Sequence, residues 1–141
     1  MKLVLDTSAL WHRPLLDALG DARLQGAFDD GRLVAILPAV AYAERLRQLA
    51  RDDRDIGTWR ERLDEIGIVV EAFGEEQAGR LPPEARDDHL WDEHARDMMI
   101  ASHVKDSSWE AISANGGVAW QGVGRMTPDA AAQAIRDILS P

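Results

Sequence analysis

The chain has 141 residues, of which 45% are hydrophobic, and these values predict one globular domain over residues 1–141. Cysteine is absent, which excludes disulfides, zinc–thiolate sites and thiol catalysis. The net charge of −9 argues against a large non-specific nucleic-acid surface, although bound divalent cations can reverse the field at one local site.

Targeting and membrane segments are not expected from this sequence. No stretch approaches the roughly 18 apolar residues that a membrane span needs. The apolar run at residues 3–5 is too short for a signal peptide, and Asp6 interrupts it. We therefore predict a cytoplasmic protein that makes no membrane contact.

Apolar runs alternate with helical patterns along the chain, which predicts an α/β fold with a mainly parallel sheet. The predicted strands cover residues 2–5, 33–37, 68–70, 111–113 and 118–123. The predicted helices cover residues 14–28 with a break at Gly20, then 38–51, 56–66, 75–81, 88–104 and 128–139. Thr127 is expected to cap the last helix, with Pro128 in its first turn.

The first predicted strand ends abruptly on a carboxylate and two hydroxyls, Asp6, Thr7 and Ser8. In open α/β sheets, ligands bind beyond the carboxyl ends of the strands. A carboxylate at such a position is costly unless a cation neutralises it. The pattern therefore predicts that further carboxylates converge on Asp6.

The helix predicted over residues 88–104 carries a carboxylate on its apolar face. Asp97 lies within a stripe formed by Leu90, Met98, Ala101 and Val104. A metal shared with Asp6 would satisfy this charge, and Glu93 lies one turn earlier on nearly the same face. The alternative is that Asp97 caps a neighbouring backbone or pairs with an arginine such as Arg96.

Two other positions are ambiguous when each is taken alone. Glu44 lies beside the apolar stripe of its helix, which favours a solvated side chain that faces Arg47 or Gln48. Ser113 and Asn115 follow a predicted strand, but Asn-Gly is also a common turn pair.

In their order and context these segments resemble the PIN-domain family, and within it the VapC-type toxins of toxin–antitoxin pairs. The matching segments are Leu5-Asp6-Thr7-Ser8, the Pro38 to Glu44 stretch, Asp97-Met98-Met99-Ile100-Ala101 and Ser113-Ala114-Asn115. The resemblance implies a three-layer α/β/α fold around a central, mainly parallel sheet. Asn115 stands where many active members carry an acid, and Val118-Ala119 replace an Asp-Phe pair, which argues against a second metal.

The resemblance implies an endoribonuclease that depends on Mg²⁺ or Mn²⁺, cleaves RNA such as tRNA, is inhibited by a cognate antitoxin and forms a homodimer. It implies that Asp6, Glu44, Asp97 and Asn115 are catalytic, with the first three holding the metal. Thr7 and Ser8 would hydrogen-bond a phosphate or a metal-bound water, and Glu93 and Ser113 would support the site.

Arginines near Glu44 are the predicted RNA contacts. Arg45, Arg47 and Arg51 make this helix locally basic within an acidic protein. We expect them to bind phosphates, although a salt-bridged solvent surface explains the pattern as well. The same surface could instead receive an antitoxin segment.

Two other functions compete with the ribonuclease. One is a PIN-fold binding or regulatory module with an inactive site, which Asn115 and the acidic composition favour. The other is a haloacid-dehalogenase-type phosphotransferase, which also begins with a strand and an aspartate. That chemistry needs a second aspartate where this chain has Ser8, so it is disfavoured.

Overall fold

Five short strands form one parallel sheet at the centre of the molecule. The structure is a computed structural model, and it describes residues 1–140. The strand order is β3-β2-β1-β4-β5, and every neighbouring pair is parallel. The strands are β1 (Lys2–Leu5), β2 (Val34–Pro38), β3 (Val69–Glu71), β4 (Trp109–Ile112) and β5 (Gly124–Met126).

Helices flank this sheet, and the predicted three-layer α/β/α fold is thereby confirmed. The shorter helices are α1 (Thr7–Leu10), α2 (Arg13–Leu19), α3 (Gln25–Asp29) and α6 (Glu75–Gly79). The longer ones are α4 (Ala39–Arg51), α5 (Ile56–Ile66), α7 (Asp88–Ala101) and α8 (Pro128–Leu139). Helix α2 packs against α8, and α4 contacts both α1 and α7.

The core lies on both faces of the central strand. Leu3, Val4 and Leu5 follow one another in β1, and all three are fully buried. Successive residues of a strand point to opposite faces, so burial of all three requires cover on both sides of the sheet. This is why the sequence of β1 is a continuous apolar run. Its burial on both faces fixes the position of the strand that ends just before Asp6.

Most of the predicted elements are present, but the last predicted strand was wrong. Residues 118–123 begin with a 3₁₀ turn, Val118–Trp120, and the strand follows it as β5. The Trp120 and Gln121 N–H groups donate to the Gly117 and Val118 carbonyls, and these i→i+3 hydrogen bonds form a tight turn instead of a strand ladder. Gly122 has a φ of +79°, which also interrupts extended backbone.

The helix ends follow the local signals in the sequence. Gly67 ends α5 in a left-handed conformation with a φ of +98°. The Thr127 hydroxyl accepts a hydrogen bond of 3.2 Å from the Ala130 N–H and caps α8, with Pro128 at its start. Within residues 1–140, no helix combines the length and the apolar character needed to cross a membrane.

Candidate active site

A cavity of about 220 Å³ opens beyond the carboxyl ends of the strands. The strand order reverses between β1 and β4, because β2 and β3 follow β1 on one side and β4 lies on the other. Such switch points are where open α/β sheets bind ligands. The cavity is lined by Asp6, Thr7, Ser8, Trp11, Glu44, Gln48, Arg96, Asp97 and Asn115.

Asp6 is held by the start of helix α1. Its Oδ1 accepts hydrogen bonds from the Ser8 hydroxyl at 2.5 Å and from the Ala9 N–H at 3.1 Å. This carboxylate therefore caps the helix that follows β1. Its other oxygen, Oδ2, has no hydrogen bond to any of residues 1–140, so one oxygen fixes the side chain and the other is free.

The two hydroxyls next to Asp6 are engaged in the fold. Ser8 Oγ accepts a hydrogen bond of 2.9 Å from the Ala114 N–H while it donates to Asp6, and so it ties the end of β1 to the loop after β4. Thr7 donates to Glu44 Oε2 at 3.0 Å. Both hydroxyl protons are therefore donated to carboxylates, so Thr7 and Ser8 cannot also donate to a phosphate in this arrangement. Their predicted contact with a metal-bound water stays a prediction.

Glu44 reaches the cavity from α4 and is neutralised by an arginine. Arg96 Nη1 lies 3.1 Å from Glu44 Oε1, while Thr7 holds Glu44 Oε2. The side chain of Arg96 is 57% exposed and that of Glu44 is 20% exposed. Solvent therefore reaches the arginine of this ion pair, and solvent-exposed ion pairs contribute little net stability.

Asp97 enters the same cavity from α7. It accepts no hydrogen bond from residues 1–140, and burial raises the pKa of its carboxyl group above the usual value. The positive charges of Arg96 and His94 oppose this shift, while the negative charges of Asp6 and Glu44 reinforce it. Asp6 and Asp97, distant in the sequence, therefore line one cavity, and the nearby positive charges offset only part of the cost of burying Asp97.

Asn115, predicted as catalytic, lines the cavity, but Ser113 and Glu93, predicted to support the site, do not. Ser113 is fully buried, and its hydroxyl donates to the Asn115 carbonyl and accepts from the Asn115 N–H within one turn. Glu93 contacts His89 at 3.3 Å and His94 at 3.5 Å. The structure does not bring Glu93 into the cavity, because these histidines hold its carboxylate at the exposed surface of α7.

The predicted arginine surface is smaller than expected. Arg47 and Arg51 are exposed, and Arg51 contacts Asp52 at 3.3 Å. Arg45 instead points inward and is only 9% exposed. The predicted phosphate contact of Arg45 was wrong because the buried face of α4 runs through Ala41, Arg45 and Leu49.

Three lining residues were not predicted as site residues. Arg96 was considered only as a partner for Asp97, yet it pairs with Glu44 across the α4–α7 contact. Trp11 and Gln48 had no signal of their own in the sequence. Trp11 follows α1 and so lies near Asp6, and Gln48 lies one helical turn after Glu44. Closeness to a predicted site residue was therefore the only feature of the sequence that could have identified them.

The oxygen atoms of this cavity suit a hard cation, but three acidic side chains do not surround a common binding position. Within residues 1–140, no three carboxylate or imidazole side chains are grouped so as to hold a metal ion. Asp6 Oδ2 and the Asp97 carboxylate are nevertheless oxygen donors on one cavity, with Glu44 held aside by Arg96. Mg²⁺ commonly uses one or two carboxylates and keeps several waters, so these residues fit such an ion.

No protein-family model matches the chain, and no curated protein matches it. The resemblance to PIN domains therefore stays a prediction that rests on the residues described above.

Proposed function

We propose that this chain is a metal-dependent endoribonuclease of the PIN type, similar to the VapC toxins. The observation that supports this function is the meeting of Asp6 and Asp97 on one cavity at the switch point of the sheet. Each carboxylate keeps an oxygen that no residue among 1–140 binds. The raised pKa of the Asp97 carboxyl group, caused first by burial, marks a charge that is costly without a cation.

Asp6 and Asp97 would hold the ion, which we propose is Mg²⁺ or Mn²⁺, and Glu44 would join them as a third ligand when the ion displaces Arg96. When bound, such an ion activates a water molecule and offsets charge on the scissile phosphate. Ser8 fixes Asp6 and joins the two loops that border the cavity. Thr7 holds Glu44 Oε2 and so keeps this carboxylate at the edge of the cavity. Asn115 adds an amide that can orient a water without adding charge.

RNA must approach a protein of net charge −9. Arg47 and Arg51 present exposed guanidinium groups on α4, the same helix that carries Glu44. We propose that these two residues contact phosphates of the RNA beside the cavity. Their electrostatic contribution should weaken as the salt concentration rises.

The wider biological setting is part of the same proposal and rests on the resemblance alone. It comprises tRNA or another structured RNA as the substrate, a cognate antitoxin as inhibitor, a homodimer and a cytoplasmic location. This proposed setting includes no contact with a membrane.

A second candidate is a PIN-fold binding or regulatory module without catalysis. The Arg96–Glu44 pair favours this function, because it fills the position of the third acid with a neutral ion pair. Asn115 adds to the same argument, since it leaves the cavity with one charge fewer than an acid would.

Parallel measurements of metal binding and cleavage separate the two functions. We would titrate Mn²⁺ by calorimetry and follow single-turnover cleavage of purified tRNA and of a structured RNA. We expect Asp97→Asn and Asp6→Asn to lose Mn²⁺ binding and cleavage together, with folding intact because asparagine can still accept the bonds that cap α1.

Glu93→Gln is the matched control, because it neutralises an acid on the same helix outside the cavity. It should leave both measurements unchanged. If the wild-type protein binds no Mn²⁺ and cleaves neither RNA, the ribonuclease is excluded and the binding module remains. Cleavage that persists in Asp97→Asn would contradict the assigned site.

A further inference from the structure

Trp11 is an exposed aromatic residue at the edge of the candidate site. It follows helix α1, lines the same cavity as Asp6 and Asp97, and is 53% exposed. By contrast, Trp109 and Trp120 are buried in the core. An indole that remains half open to solvent beside a polar cavity keeps aromatic surface available, which suggests a role in binding.

A buried arginine covers one face of this indole. The Arg45 guanidinium carbon lies 3.6 Å from the centroid of the Trp11 ring and 5.6 Å from that of Trp59. Its Nε and Nη1 atoms are buried without a hydrogen-bond partner among residues 1–140. Burial lowers the pKa of Arg45, and the charge of Arg54 adds to this effect. The negative charge of Asp52 and the two aromatic rings therefore compensate this desolvated cation.

The stacked groups Trp11, Arg45, Trp59 and Tyr42 extend from the surface into the protein interior, and this packing fixes the position of Trp11. Tyr42 and Trp59 stack with their ring centroids 6.0 Å apart and an interplanar angle of 17°. Because Arg45 occupies one face of Trp11, the exposed area of the indole belongs to its opposite face and its edges. The open face is therefore presented by a rigid support, and a partner that stacks on it loses little entropy to ordering of the indole.

We propose that Trp11 stacks on an unpaired nucleobase of the RNA, next to the phosphate that lies at Asp6 and Asp97. This assignment rests on the proposed ribonuclease function and deepens it by specifying the substrate class. A flat, open aromatic face at the edge of a phosphate site fits a base in the way that single-strand-binding proteins use stacking. Arg45 is a positioning residue for the indole.

Stacking of this kind selects structure rather than sequence. Every base has a π-face, so the surface tolerates any base, but a base within a duplex has both faces occupied by its neighbours. The substrate class is therefore RNA with an unpaired or extruded nucleotide at the cleaved position. Continuous double-stranded RNA should bind through its phosphates alone.

The test measures RNA binding in an Asp97→Asn background, so that cleavage does not consume the probe. The probes are a labelled eight-nucleotide single-stranded RNA and the same ribose-phosphate backbone without bases, followed by fluorescence anisotropy at low salt. Because this background is not expected to hold the ion, Arg47 and Arg51 supply the phosphate contacts for both probes. Trp11→Ala should weaken binding of the RNA with bases by about 5- to 150-fold. Trp11→Phe should retain most of the affinity, because an aromatic face remains.

The probe without bases is the decisive control. Wild-type Trp11 and Trp11→Ala should bind it equally, since neither has a base to stack on. Ile138→Ala, which shortens an exposed apolar side chain on α8, should change neither probe. Equal loss on both probes, or no loss on the RNA with bases, would overturn the stacking assignment.

The outcomes also separate this inference from the proposed function. If the Trp11 effect depends on bases but the wild-type protein cleaves no RNA, stacking stands and the ribonuclease fails. If the wild-type protein cleaves RNA and Trp11→Ala binds both probes as the parent does, the ribonuclease stands and stacking fails. Failure to bind either probe at low salt would overturn both.

Discussion

Replacement of Arg96 by glutamine should increase the affinity of the site for divalent cations. Arg96 Nη1 lies 3.1 Å from Glu44 Oε1, so it competes directly with a cation for that carboxylate. A cation bound to Glu44 at about 2.1 Å would lie within about 5 Å of the guanidinium. In bulk water, a unit charge and a divalent ion at about 5 Å repel by about 1.7 kcal/mol, or about fifteenfold in affinity.

The lower limit comes from the exposure of the arginine. With its side chain 57% exposed, Arg96 can turn out into solvent when a cation enters, and only the ion pair is lost. An exposed pair contributes about 0.5 kcal/mol, which corresponds to about twofold in affinity. We therefore expect Arg96→Gln to bind Mn²⁺ between about twofold and about fifteenfold more tightly than the wild type.

Calorimetric titration with Mn²⁺ at constant ionic strength measures this change without reference to activity. Arg47→Gln is the matched control, because it removes the same charge from an exposed position outside the cavity. It should change the affinity by less than about twofold, since exposed charges are screened over about a Debye length. Equal effects of the two variants would mean that net charge alone acts, and an unchanged affinity in Arg96→Gln would refute the competition.

Three further predictions concern stability. Asp97→Asn should raise the free energy of unfolding in metal-free buffer at pH 7 by about 1 kcal/mol. Because the folded-state pKa of Asp97 is raised, this gain should vanish in urea titrations as the pH falls below 3.8. Burial lowers the folded-state pKa of His103, so stability present above pH 6.5 is lost as the pH falls, by at most about 1.4 kcal/mol per pH unit. His103→Asn should flatten that slope; an unchanged slope would contradict the assignment. Thr127→Ala removes the cap on the Ala130 N–H and should cost about 1 kcal/mol in thermal unfolding, whereas an unchanged melting temperature would show that the cap contributes nothing.

The meeting of Asp6 and Asp97 was predictable because two general rules agree on it. An apolar run that ends on Asp6 places that carboxylate at the ligand-binding edge of a parallel sheet. A carboxylate inside a helical apolar stripe must face the interior, where its buried charge needs a cation or a hydrogen-bond partner. Both rules use only local sequence, and the parallel topology brings their two residues together.

The inward turn of Arg45 and the role of Arg96 were not predictable in the same way. Arg45 lies on the buried face of α4 because Trp11 and Trp59, from two other helical regions, supply rings around its guanidinium. Arg96 reaches Glu44 only because α4 and α7 pack together. Both arrangements depend on long-range packing, which the spacing of residues within a single helix does not encode.

The balance between the two candidate functions depends on whether the Arg96–Glu44 pair can keep a cation out. A partly exposed pair contributes at most about 1 kcal/mol. A divalent ion at ten times its dissociation constant stabilises the bound state by about 1.4 kcal/mol, which exceeds that cost. Asp97 accepts no hydrogen bond from residues 1–140. A bound cation would therefore also offset the cost of burying its negative charge, which is the main cause of its raised pKa. We infer that the pair occupies the site only in the absence of an ion, so a bound ion removes the advantage that the pair gives to the binding module.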